Sequence, residues 1–123
     1  MFRIRLHGRG GQGIKTASQI LGSAAFYSGF QAQDFPLYGA ERRGAPIVAF
    51  TRISKNVILE RGPIVVPDIL LIGDETLLEG SQSAPLCGAD DDTVIFVNSE
   101  LKPEELQQRF SLPKLPFQLN LTD

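Results

Sequence analysis

Residues 2–28 confine the chain to one kind of opening. Phe2, Ile4 and Leu6 alternate with Arg3 and Arg5, the pattern of a half-buried strand. The segment His7-Gly8-Arg9-Gly10-Gly11-Gln12-Gly13 then turns the chain. Beyond it, Ile14, Ala17, Ile20, Leu21, Ala24 and Ala25 recur three and four apart, which predicts a helix to about Ser28. Gly29 stands where a helix C-cap glycine belongs. Strand, glycine turn and helix in that order begin an α/β unit.

The rest of the chain continues in the same style. A second short strand is expected at Phe30–Phe35. Ile47–Ile53 is β-rich, and Ser54-Lys55-Asn56 turns toward Val57–Leu59 as a hairpin partner. Ile64–Val66 reads as a brief strand ended by Pro67. Ile69–Ile72 is an unbroken apolar run, the mark of a parallel strand buried on both faces. One helical turn follows at Glu75–Glu79. Thr93–Val97 is another buried strand, Pro103–Phe110 a short helix with proline in its first turn, and Phe117–Leu121 a last strand. The fold class is therefore α/β: one domain over 1–123, with a mostly parallel sheet, helices on its faces and a local β-hairpin. A parallel strand normally runs on into a covering helix. The end at Asp123 raises the expectation of a missing C-terminal segment or of another subunit over that edge.

Composition narrows the function classes. The 123 residues are 42% hydrophobic and 21% charged, and the net charge is −2. Binding held mainly by nucleic-acid phosphates calls for a basic chain. No apolar run approaches the roughly 20 residues that span a bilayer, and no secretory leader is visible. The expectation is a cytoplasmic chain with neither nucleic-acid nor membrane partners. The single cysteine, Cys87, cannot by itself ligate an iron–sulfur cluster, which takes about four thiolates. No metal site is expected.

Two segments carry candidate chemistry. Gly8, Gly10 and Gly13 have the spacing of a dinucleotide-binding turn, in the strand–turn–helix context that spacing needs. Glycines let backbone approach a ligand closely. The free amides and dipole of the following helix attract an anion. Gly8, Arg9, Gly10, Gly11, Gln12 and Gly13 are therefore the candidate cofactor-binding residues, and Lys15 adds charge. Three readings satisfy the spacing: a phosphate cradle, a ligand-free packing turn, or a true NAD or FAD site. For the last, Asp34 stands about 20 residues on, where a ribose-binding acid belongs. The second segment is Tyr38-Gly39-Ala40-Glu41-Arg42-Arg43-Gly44-Ala45-Pro46. Adjacent arginines suit bidentate contacts with carboxylate or phosphate. Tyr38, Glu41, Arg42, Arg43 and Gly44 are candidates for binding or for a subunit interface, against a plain solvated loop. Both segments follow strands, so both are expected at one crevice.

Together these segments, with Gln33-Asp34-Phe35-Pro36, Phe50-Thr51-Arg52-Ile53 and Asp68-Ile69-Leu70-Leu71-Ile72, resemble the gamma subunit or domain of 2-oxoacid:ferredoxin oxidoreductases, the pyruvate members above all. The resemblance is strong to about residue 80 and thin beyond. The family domain is longer by roughly a third, so the resemblance implies that its C-terminal part is missing here. It implies a component of a complex that decarboxylates a 2-oxoacid on thiamine diphosphate and passes electrons through iron–sulfur clusters to ferredoxin or flavodoxin. The acyl group goes to coenzyme A. Thiamine diphosphate and the clusters belong to partner subunits. This chain is then a scaffold, with a coenzyme A phosphate contact at the glycine turn and no catalytic residue of its own. The alternatives are a free-standing NAD-binding oxidoreductase and a non-catalytic interaction module.

The remaining polar residues read as structural. His7 lacks a neighbouring carboxylate and nucleophile and is expected to be a hydrogen-bonding histidine. Cys87 lies near Asp90, Asp91 and Asp92, whose charge disfavours a thiolate. Consecutive aspartates rarely converge on one ion, so these three read as a solvated turn.

Overall fold

A computed structural model describes residues 1–36, 44–79 and 85–120. Six strands form one sheet: β1 (Phe2–Arg9), β2 (Gln31–Pro36), β3 (Pro46–Ser54), β4 (Ile69–Ile72), β5 (Val94–Asn98) and β6 (Phe117–Leu119). The helices are α1 (Ile14–Tyr27) and α2 (Pro103–Phe110), with a 3-10 turn at Glu75–Leu78. The strand order is β2-β3-β1-β4-β5-β6. β1, β4, β5 and β6 run parallel, while β3 is antiparallel to both β1 and β2. The α/β class and the mostly parallel sheet are as expected.

The chain leaves β1 toward β2 through α1, and leaves β4 in the other direction toward β5 and β6. Right-handed connections therefore place the helices on opposite faces. Ile4, Leu6, Ile14 and Ala49 form the core beneath α1. Leu70, Ile72, Ile95, Val97 and Leu106 form the core beneath α2.

α1 lies close on the sheet. Its buried positions are Ile14, Ser18, Gly22 and Ala25. The expected stripe is thus rotated: Ile20 is exposed and Ser18 is buried. The small residues bring helix and sheet together. Ser18 Oγ meets Thr51 Oγ1 at 2.7 Å and donates to the Phe50 carbonyl at 3.1 Å. Gly8 serves the same packing, since a Cβ there would stand 2.3 Å from Ile14 Cγ1. At the other end Gly29 takes φ +95°, and the Phe30 amide donates back to the Ala25 carbonyl, which closes the helix as expected.

The hairpin lies elsewhere than the sequence suggests. β3 pairs with β2, not with Val57–Leu59, whose Val57 and Leu59 are exposed. Nor is Ile64–Val66 a strand. Both corrections have one cause. Residues 57–67 cross the sheet face opposite α1 and give their carbonyls to arginines rather than to a ladder. Arg5 is 6% exposed, although alternation suggests solvent. Its Nη1 donates to the carbonyls of Ile64 (3.0 Å) and Val65 (3.1 Å). Its Nη2 donates to those of Pro85 (2.9 Å) and Cys87. Beside it, Arg3 and Arg52 both hold Glu60.

Arg5 Nε donates to His7 Nε2 at 2.9 Å, so His7 is a neutral acceptor there. This is the hydrogen-bonding role expected of it. Burial, reinforced by the Arg5 charge, pushes His7 down from 6.5 to about 3.

Two expectations follow. Gly8→Ala should cost about 1–3 kcal/mol by overpacking in urea unfolding, and little in an Ile14→Ala background. A histidine that charges more readily when unfolded withdraws stability as pH falls. The loss should begin near pH 6.5 and continue toward about 3, at up to about 1.4 kcal/mol per unit. His7→Gln keeps an acceptor for Arg5 and should flatten that part of the profile.

Candidate functional site

The carboxyl ends of β1 and β4 lie side by side, and the chain departs from them in opposite directions. Such a switch point opens a crevice in α/β sheets. On one wall is the glycine segment and on the other Gly73–Thr76. The Gly73 amide donates to the His7 carbonyl at 2.7 Å and ties the walls together at their base.

Within the glycine segment, Gly8 and Arg9 are still strand, paired with Ile47 and Pro46. The Gly10 amide donates to the Ala45 carbonyl (2.8 Å), and the Gly10 carbonyl accepts from the Gly44 amide (3.0 Å). The exposed turn is Gly11, Gln12 and Gly13. Gly11 has φ +90° and Gly13 φ +80°, which is left-handed backbone that suits glycine. The first helical hydrogen bond runs from the Ala17 amide to the Gly13 carbonyl. The amides before it have no partner within the helix. No acidic residue occupies the first turn of α1.

The two candidate segments do meet. Besides the Gly10–Gly44 bond, Arg9 Nη1 donates to the Gly44 carbonyl at 3.0 Å. Gly44 has φ +83° and is exposed. Tyr38, Glu41, Arg42 and Arg43 lie outside the described residues.

Side chains of the segment turn inward to Asp74. Gln12 Oε1 accepts from the Arg9 amide (2.8 Å) while its Nε2 donates to Asp74 Oδ2 (2.9 Å). Arg9 Nε stands 3.4 Å from the same oxygen, and Arg9 also donates to Thr76 Oγ1. Burial works against ionising Asp74. Donation from the Thr76 hydroxyl and amide and from Gln12, with the Arg9 charge, outweighs it and holds the carboxyl below its ordinary value.

Sequence reasoning missed this wall. A cavity of about 300 Å³ is lined by Gln12, Asp74, Glu75, Ser99, Glu100 and Asn120 among others. The legible signal was an aspartate two residues after a buried parallel strand, followed by a turn it can cap. Asp74 accepts from the Thr76 amide at 3.0 Å. Three carboxylates on this lining repel phosphate.

Asp34 is not a ribose acid for this turn. β3 separates β2 from β1. Asp34 packs against the middle of α1, where a Cβ on Gly22 would meet its Oδ1 at 3.0 Å. Gly22 lies about 13 Å along the helix from Gly13, at 1.5 Å per residue. Cys87 is an exposed free thiol, and Asp90 caps its own turn by accepting from the Asp92 amide at 2.9 Å.

Comparison with known proteins agrees with this architecture. The family model described as pyruvate ferredoxin/flavodoxin oxidoreductase matches residues 3–122. The pyruvate synthase subunit PorC of Methanosarcina barkeri is 49% identical over 107 residues, 87% of this chain and 58% of that protein. The pyruvate/ketoisovalerate oxidoreductases common subunit gamma of Pyrococcus furiosus is 42% identical over all 123 residues and 64% of its own length. The chain thus spans about three fifths of these relatives. The crystal structure of pyruvate oxidoreductase subunit PORC from Thermotoga maritima superposes with a TM-score of 0.72 at 41% identity, over 87% of this chain and 55% of that one. With the match running almost from end to end of the sequence, this chain belongs to the pyruvate ferredoxin/flavodoxin oxidoreductase family.

Proposed function

We propose that the chain is the gamma component of a multi-subunit 2-oxoacid oxidoreductase, acting on pyruvate. That complex decarboxylates the 2-oxoacid oxidatively to an acyl-CoA and CO2 and passes the electrons to ferredoxin or flavodoxin. Thiamine diphosphate and iron–sulfur clusters sit on its partner subunits. Chain composition supports that division of labour, because one cysteine cannot ligate a cluster. The role of this chain is to hold partners and to anchor a coenzyme A phosphate at the start of α1.

The observation that carries the anchor is the asymmetry of the crevice. Within it Arg9 and Gln12 hold Asp74 and the lining carries carboxylates, while the exposed Gly11–Gly13 turn leads into a 14-residue helix with no acidic residue in its first turn. Such a helix start binds anions through its amides and its dipole. Gly11 and Gly13 let the ligand approach the backbone. Side-chain chemistry for proton transfer is not needed for that task.

Thermal unfolding with coenzyme A, NAD and thiamine diphosphate tests the anchor. A ligand at a hundred times its Kd adds about 2.7 kcal/mol, enough to raise the midpoint by several degrees. Coenzyme A should do so and the other two should not. Thr16 is an exposed first-turn residue. Thr16→Glu favours the helix dipole, so it should leave the fold intact while abolishing the coenzyme A shift. A shift with NAD alone would overturn the reading.

A further inference from the structure

A second charged cavity lies at the other end of the sheet from the crevice. Arg3 is near the start of β1, and Asp68 immediately precedes β4. From Arg3 to Arg9 the strand runs about 20 Å, at roughly 3.3 Å per residue. Arg52 on β3 stands opposite Arg3 in the ladder. The chain that crosses this face brings Glu60, Arg61, Val65 and Val66 alongside them. These residues line a cavity of about 410 Å³, within the range of ligand sites, about 300–1,000 Å³.

The charges there do not balance. Glu60 serves two arginines: Arg3 Nε donates to its Oε2 at 3.0 Å, and Arg52 Nε stands 3.3 Å from the same oxygen without making a hydrogen bond. Arg52 is 3% exposed, so this Nε–H is a buried donor with no acceptor, a costly state. Asp68 accepts from the Arg3 amide at 2.8 Å. Arg61 is exposed, donates to the carbonyls of Ile58 (2.8 Å) and Glu60 (2.9 Å), and pairs with no carboxylate among the described residues. Three guanidiniums against two carboxylates leave one positive charge, which matches a carboxylate better than a doubly charged phosphate. Beside it Val65 and Val66 are 73% and 47% exposed, so the wall that continues from Arg61 is apolar. We infer that this cavity binds a monocarboxylate with a short branched apolar tail, its charge on Arg52 and Arg61 and its tail along residues 63–66. A free acid and a glutamate side chain flanked by valines both offer that chemistry. Nothing in this site depends on what the glycine segment binds.

The test is an NMR titration of the isotope-labelled chain with isovalerate at constant ionic strength. Isovaleramide, which has the same shape without the charge, is the control. Isovalerate should bind saturably, at about the millimolar level usual for so small a ligand. It should shift the side-chain Nε–H signals of Arg52 and Arg61 and the amides of Val65 and Val66, and leave Gly11–Ala17 unmoved. Isovaleramide should shift none of them. Arg61→Gln should weaken isovalerate about tenfold, the loss of one hydrogen bond to a charged group. It should leave the thermal midpoint unchanged, because Arg61 is exposed. A valine–glutamate–valine peptide with blocked ends identifies the source of the carboxylate. Tighter binding than isovalerate assigns the site to an acidic side chain of a polypeptide, and weaker binding assigns it to a free acid. In the unsubstituted chain, the absence of a saturable shift at these four residues would overturn the inference. So would equal shifts with isovaleramide, or an affinity that Arg61→Gln leaves unchanged.

Discussion

The switch at β1 and β4 in the direction in which the chain advances across the sheet is the constraint from which the rest of the molecule follows. Connections toward β2 and connections toward β6 must keep the same hand, so α1 and α2 fall on opposite faces. Each helix covers only its own half of the sheet. Where the two directions part, the strand ends gape, and the glycine segment and Gly73–Thr76 become the two lips of a crevice. The placement of the helices on opposite faces and the crevice are consequences of a single topological choice.

The face opposite α1 solves its half-cover with irregular chain, and the solution depends on Arg5. Loops laid over a sheet bring carbonyls into a dry space, and unpaired ones are costly there. A guanidinium offers five donors in a rigid plane. Arg5 spends them on four carbonyls from two separate loops and on His7. Burial lowers its pKa, offset only in part by the nearby Cys87. Arg3 and Arg52 extend the arrangement by fixing Glu60 from adjacent strands. Arginines on the neighbouring strands β1 and β3 thus hold the loops that take the place of a helix.

How much of this was legible follows from what each feature depends on. Local patterns gave the strand–turn–helix opening, the buried strand at Ile69–Ile72, the glycine cap at Gly29 and α2, because periodicity and caps act within a few residues. Features that depend on distant partners were hidden. Arg5 looked solvated because alternation counts charge as exposure, and four carbonyls far along the chain reverse that. Residues 57–59 and 64–66 have β-type composition, yet their backbone groups answer to arginines. Asp34 had the spacing of a ribose acid, but β3 inserts itself between β1 and β2. The glycine segment was found as a motif. Its partition was visible only in three dimensions: Gly8 packs against Ile14, Gly10 pairs with Gly44 and Ala45, and Gly11–Gly13 form the exposed turn.

The functional account therefore rests on the rim of the crevice rather than its interior. Arg9 and Gln12, which as sequence look like ligand contacts, hold Asp74 instead, and the carboxylate lining disfavours phosphate. Amide-resolved NMR during a coenzyme A titration tests this most directly. The account predicts shifts concentrated at Gly11–Ala17, with Ser99, Glu100 and Asn120 unmoved. Shifts confined to Ser99, Glu100 and Asn120, or none at Gly11–Ala17 under saturating ligand, would contradict it.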